Sequence, residues 1–191
     1  GGHSDILAGS VSSSKKNIES VFSVGKSLGG NLSDYTVWLL ERSLKTLFVR
    51  VEKQNKNAKE LAYHLQNHEC VNKVFYPGLE SNPQYKIAMS QQSNGGAIVS
   101  FKLKSQNGMG KNQLAWSIIN KVMIFSNSGN LGDSRSIITH PYTTTHCRIK
   151  DSFRKKSGVD HLLVRLSIGL ENTDDLIADL NQALDQKGII T

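Results

Sequence analysis

Arg165 stands among Leu162, Leu163, Val164 and Leu166, a run of branched apolar residues suited to a buried strand. Arginine is almost never buried without a partner. Its guanidinium must therefore meet a carboxylate, and the planar fork suits a substrate carboxylate as well as a protein one. Both partners stay open on these residues alone. A second place is the polar loop over residues 126–133, where Gly129 and Gly132 flank Asn130 and Leu131. Glycines there suit a backbone that closes on a ligand, and an ordinary surface turn is the competing reading. His140, His146 and Cys147 form the one grouping of metal-binding types, but zinc would want a closer pair and further ligands. They read as loop and core residues near a strand end. No dinucleotide fingerprint, phosphate loop or HExxH occurs, and Ser167 in Leu-Ser-Ile-Gly lacks the flanking glycines of a nucleophile elbow.

The elements that must position these residues follow from periodicity. Residues 5–14, short and apolar around Gly9, read as a buried strand, and Ser12, Ser13 and Ser14 lead into a helix ending near Gly25. Val37, Leu40, Leu44, Leu47, Phe48 and Val51 make one stripe of a long amphipathic helix, with Ser33 as N-cap and Asp34 in its first turn. The polar stretch 53–57 is the expected hinge between two domains, and Ala58, Leu61, Ala62 and Leu65 resume a helical stripe. Strands are expected over 71–76, 97–103, 122–126, 136–139 and 162–168, with a helix over 114–120. Thr173 starts the last helix, whose buried stripe is Leu176, Ile177, Leu180, Ala183 and Leu184, and Gly188 ends it. The pattern is an α+β domain with helices on one face of a sheet.

Composition narrows the classes. At 38% apolar and 20% charged, the 191 residues match an ordinary globular chain rather than a disordered one. The net charge of +7 raises nucleic acid as a partner, but the basic residues are scattered, so a solvated face is expected instead. No run approaches the ~18 apolar residues of a membrane span. The first residues also lack a charged-then-apolar signal layout. Cys70 and Cys147 are isolated, which fits a reduced, cytoplasmic protein.

The same residues carry a family resemblance. Gly-Gly-His-Ser-Asp-Ile-Leu-Ala-Gly at 1–9 resembles the segment that follows the cofactor lysine in the Cys/Met-metabolism enzymes. That family uses pyridoxal 5'-phosphate. It includes cystathionine synthases and lyases, methionine gamma-lyase and homoserine-ester sulfhydrylases. The match continues in order through Trp38-Leu39-Leu40-Glu41-Arg42-Ser43-Leu44-Lys45-Thr46-Leu47, Val74-Phe75-Tyr76-Pro77-Gly78-Leu79 and Gly95-Gly96-Ala97-Ile98-Val99-Ser100-Phe101. It goes on through Asn130-Leu131-Gly132-Asp133-Ser134-Arg135-Ser136, Thr139-His140-Pro141, Leu163-Val164-Arg165-Leu166-Ser167-Ile168-Gly169-Leu170-Glu171 and Asp175-Leu176-Ile177-Ala178-Asp179-Leu180. Asp34 and Tyr142 depart from the residues usual at their places.

The resemblance implies a fold of mixed α/β and α+β character, the C-terminal portion of an aminotransferase-like subunit. Residues 1–52 would end the large cofactor domain, and residues 53–191 would form the C-terminal α+β domain. It implies that Arg165 binds the substrate's α-carboxylate and that Asn130 supports it. Asn130-Leu131-Gly132-Asp133 is more similar to the sulfhydrylase branch, so the expected reaction is γ-replacement of an activated homoserine ester by a sulfur nucleophile. A cystathionine or methionine lyase, or a fragment without catalysis, are the alternatives. The cofactor lysine would lie a few residues before Gly1, so no catalytic or cofactor-binding residue is expected in this chain, and Lys15 and Lys16 are expected to be surface lysines. The implied partners are an amino-acid substrate and the upstream half of the same enzyme in a homotetramer, with no nucleic acid and no membrane.

Overall fold

The computed structural model describes residues 1–105, 110 and 112–185, in two compact units, Gly1–Phe48 and Val49–Thr191. In the first, helix α1 (Lys15–Leu28) stops at Gly29, whose φ of 69° is the left-handed backbone that a helix end favours. Helix α2 (Asp34–Leu44) starts at Ser33, whose hydroxyl accepts from the Thr36 amide, and Asp34 meets the positive end of the helix dipole. No residue of α1 is buried. Residues 5–14 correct the expectation of a buried strand: they are irregular, and Leu7 is 94% exposed. A strand needs a neighbour to take its amides, and the paired strands among the described residues all lie in the second unit.

The long stripe over 37–51 is also broken. Thr46 turns its amide and its hydroxyl onto the Ser43 carbonyl, closing α2 before α3 (Leu47–Gln66) begins. The polar stretch 53–57, expected as a hinge, lies in the interior of α3. Two of its polar side chains, Gln54 and Asn57, are buried and hydrogen-bonded. Gln54 donates to the Asp133 carbonyl at 2.7 Å, and Asn57 donates to the Gly169 and Glu171 carbonyls at 3.1 and 2.8 Å.

The second unit is built on a sheet of five described strands in the order β1-β2-β5-β4-β3: β1 (Val71–Phe75), β2 (Ile98–Leu103), β3 (Ser126–Asn127), β4 (Ile137–Thr139) and β5 (Leu163–Ser167). All neighbouring pairs are antiparallel except β3 and β4. Alternation along β2 separates the faces: Val99, Phe101 and Leu103 are buried, whereas Ile98, Ser100 and Lys102 are half-buried. The buried set forms one core with Val164, Leu166 and Ile138 and with apolar residues of α3, α5 (Gln113–Ile119) and α7 (Thr173–Leu184). Burial of this kind stabilises by about 25 cal/mol per Å² of apolar surface.

The expected strand over 122–126 shrinks to Ser126 and Asn127. The amides of Met123, Ile124 and Phe125 donate to the Asp179 carboxylate of α7, at 2.8, 2.8 and 3.3 Å, instead of to a strand. Helices α4 (Tyr85–Gln91) and α6 (Asp151–Lys156) were not foreseen; they are short and bury nothing, so they leave no apolar stripe. The expected stop at Gly188 lies outside the described residues. Among the described residues no helix is long and apolar enough to cross a membrane.

Candidate functional site

Strand β5 is covered on both faces except at one position. Leu163, Val164, Leu166 and Ser167 are buried, and Arg165 is half-buried. Register places Arg165 between Ser100 of β2 and Thr139 of β4 on the face away from the helices. Its Nη2 donates to the carbonyls of Gly129 and Asn130, at 3.2 and 3.1 Å. Its buried Nε has no hydrogen-bond partner, and among the described residues no carboxylate pairs with it. Burial draws the guanidinium below its ordinary pKa, although arginine stays charged at any working pH.

The loop that supplies those carbonyls is tied at several points. The Ser128 amide donates to the Ile138 carbonyl at 3.3 Å, and the Thr139 hydroxyl donates to the Ser128 carbonyl. The Gly132 amide donates to Ser167 Oγ at 2.9 Å, with Gly132 at a φ of 77° that a side chain would resist. Beyond the loop, the Asp133 carboxylate accepts from the Arg135 amide, and Ser136 gives both its amide and its hydroxyl to Glu171, at 2.7 and 2.8 Å. Asn130 therefore sits beside Arg165, and its backbone carbonyl is the group that meets the guanidinium.

A hollow of about 320 Å³ opens over Arg165, bordered by Phe75, Ser100, Pro141, His146 and Leu163. A larger one of about 660 Å³ shares Phe75 and Ser100 but does not reach Arg165. Each hollow has a cation in its wall, Lys73 in the larger and Arg165 in the smaller. Lys102 is answered by Asp160 at 2.6 Å, whereas Arg165 has only neutral carbonyl partners. Ser100 was not singled out from sequence, although the period-2 alternation of β2 puts it on the Arg165 face; His146 was weighed only within the histidine–cysteine grouping, and nothing local points to its place beside Arg165.

The histidine grouping does not converge. The two ring nitrogens of His140 face Thr143 Oγ1 at 2.8 Å and the His161 carbonyl at 3.1 Å, and burial lowers its pKa. Cys147 is exposed. Among the described residues no group of three metal-binding side chains could hold an ion. Lys15 and Lys16 are exposed, and Lys15 lies 4.0 Å from Glu19 along the helix.

A family sequence model described as "Cys/Met metabolism PLP-dependent enzyme" matches residues 1–185. An O-succinylhomoserine sulfhydrylase of Mycobacterium tuberculosis is 38% identical over 184 residues, 96% of this chain and 45% of that protein. An L-methionine gamma-lyase of Porphyromonas gingivalis is 39% identical over 186 residues, again 96% of this chain and 45% of that protein. The crystal structure of a putative O-acetylhomoserine (thiol)-lyase of Campylobacter jejuni, which carries a pyridoxyl-lysine, superposes with a TM-score of 0.80 at 37% identity. It covers 87% of this chain and 39% of that one. The chain thus spans less than half the length of these relatives, and its fold is the C-terminal part of theirs.

Proposed function

The chain belongs to the family of Cys/Met metabolism enzymes that depend on pyridoxal phosphate, and from that premise we propose that it is the C-terminal part of a longer transsulfuration enzyme. The reaction we assign is γ-replacement of an activated homoserine ester by a sulfur nucleophile, in methionine or cysteine metabolism. Residues 1–52 would complete the cofactor domain and residues 53–191 would form the C-terminal domain, with the upstream half supplied by the same polypeptide and four subunits assembled. The observation that carries this reading is Arg165: a half-buried cation over a hollow, held by two carbonyls and paired with no carboxylate among the described residues.

Arg165 would bind the α-carboxylate of the amino-acid substrate. A charge-assisted bond there fixes one substituent of Cα and so limits the orientations of the other three. Such positioning matters, because a misplacement of about 1 Å can cost about 10²-fold in rate. Asn130 would support the same carboxylate, with its backbone carbonyl holding the guanidinium in place. The residues present fit the substrate side of such a site and not the cofactor itself, since Lys15 and Lys16 lie on an open helix surface. When bound, pyridoxal phosphate supplies an electron sink for the charge that develops at Cα. No cofactor contact and no proton transfer is assigned to this chain.

The test is substrate-dependent thiol chemistry with the full-length enzyme. Supplied with an acyl-homoserine and sulfide, it should form homocysteine only when both are present. Thiol release from cystathionine or methionine without added sulfide would assign the lyase reaction instead.

A further inference from the structure

Strand β5 carries a second polar residue on the Arg165 side. Ser167 lies two positions on, so its side chain points to the same face, and it is 1% exposed. A buried hydroxyl requires a partner. Ser167 Oγ accepts from the Gly132 amide at 2.9 Å. Gly132 lies two residues beyond Asn130, in the loop whose Gly129 and Asn130 carbonyls receive Arg165 Nη2. The strand therefore carries both the guanidinium and the anchor of the loop that orients it.

We infer that Ser167 is a positioning residue for Arg165: by holding the Gly132 amide it fixes the Gly129 and Asn130 carbonyls, and through them the direction of the guanidinium. A loop with glycine at both 129 and 132 has little stiffness of its own, and Gly132 sits in a left-handed conformation that an ordinary residue would not hold. At the other end the loop is already tied through Ser128 to Ile138 and Thr139. Ser167 supplies the tie at Gly132, one residue before the Asp133 carbonyl that Gln54 holds at 2.7 Å. Nothing in this role requires Ser167 to touch the substrate, and the inference rests on the assignment of Arg165 to the substrate carboxylate.

The experiment is a double-mutant cycle in the full-length holoenzyme, using Ser167→Ala, Arg165→Ala and the pair. Each is measured for cofactor content by absorbance, for KM with the amino-acid substrate, and for binding of the matching amine that lacks the carboxylate. Ser167→Ala should raise KM roughly three- to tenfold, the loss of one hydrogen bond. It should leave cofactor content and amine binding unchanged, and add nothing in the Arg165→Ala background. A wild-type KM in Ser167→Ala beside a raised KM in Arg165→Ala would overturn the inference while sparing Arg165. Additive effects, or equal weakening of amine and amino acid, would make Ser167 a structural residue only. No effect of Arg165→Ala would refute the carboxylate assignment itself. If Ser167→Ala does not load cofactor, Ser167→Cys keeps the volume with a poorer acceptor and carries the same test.

Discussion

Replacing Arg165 with Ala removes a unit charge from a half-buried site. It also removes two hydrogen bonds to backbone carbonyls, at 3.2 and 3.1 Å. The two losses have different consequences. A bond from the charged guanidinium to a neutral carbonyl lies at the low end of the charged range, about 1.5 kcal/mol, so the loop over residues 128–132 should loosen without the domain unfolding. A bond from a charged donor to a substrate carboxylate is worth about 1.5–3 kcal/mol, and each 1.4 kcal/mol is tenfold. The expected rise in KM, or fall in kcat/KM, is therefore about 10- to 150-fold. The assay is steady-state kinetics on the full-length enzyme, with bound cofactor measured by absorbance before and after substrate. Arg165→Lys separates charge from geometry, because it keeps the cation but loses the planar guanidinium whose Nη2 meets both carbonyls. It should bind better than Arg165→Ala and worse than wild type. An unchanged KM and kcat/KM in Arg165→Ala would refute the clamp, and loss of cofactor alongside substrate would show that the arginine supports the fold rather than the ligand.

Two further outcomes follow from buried polar groups. Asp179→Ala strands the amides of Met123, Ile124 and Phe125, which otherwise share its carboxylate; a loss of about 3 kcal/mol, read as a lower denaturation midpoint, is expected, and an unchanged midpoint would contradict the assigned bonds. His140 has its pKa lowered by burial from an ordinary value of 6.5, so the unfolded chain binds the proton more readily. Its contribution to stability is complete above pH 6.5 and is lost as pH falls through the lower folded value. Thermal melts of wild type and His140→Gln should therefore diverge above pH 6.5 and converge on acidification, and parallel curves across that window would count against a buried neutral imidazole.

Arg165 was visible in the sequence because a charged residue inside an apolar run breaks a rule that burial imposes. The loop around Asn130 was visible because its glycines break another. What joined them was not visible: the contacts run over 35 and 36 positions, and backbone carbonyls carry no residue-specific signal. The stretch 53–57 misled for a related reason. Gln54 and Asn57 are polar because they serve buried carbonyls of residues 133, 169 and 171, yet in sequence they resemble solvent-facing residues. Residues 122–126 read as a strand because valine, isoleucine and phenylalanine favour one, but a carboxylate 54 to 56 positions away takes their amides. Local pattern located the chemistry-bearing residues, and long-range polar contacts decided what each of them does.

The choice of partner for Arg165 bears on how a site of this kind could work. A protein carboxylate would have secured the guanidinium and also cancelled its charge. Two carbonyls secure one end of it and leave the charge whole. Desolvating that cation costs free energy, as its depressed pKa shows, and an incoming carboxylate recovers part of the cost by pairing with it. Lys102, on the same face, is neutralised by Asp160 and offers no such gain. Arg165 keeps its charge unanswered by any described carboxylate, and it would orient an amino acid by its carboxylate end. The tight ties at Ser128 and Gly132 then have a physical reason. A guanidinium held by neutral dipoles is aimed only as well as those dipoles are fixed, so the stiffness of the loop would set the precision of the clamp.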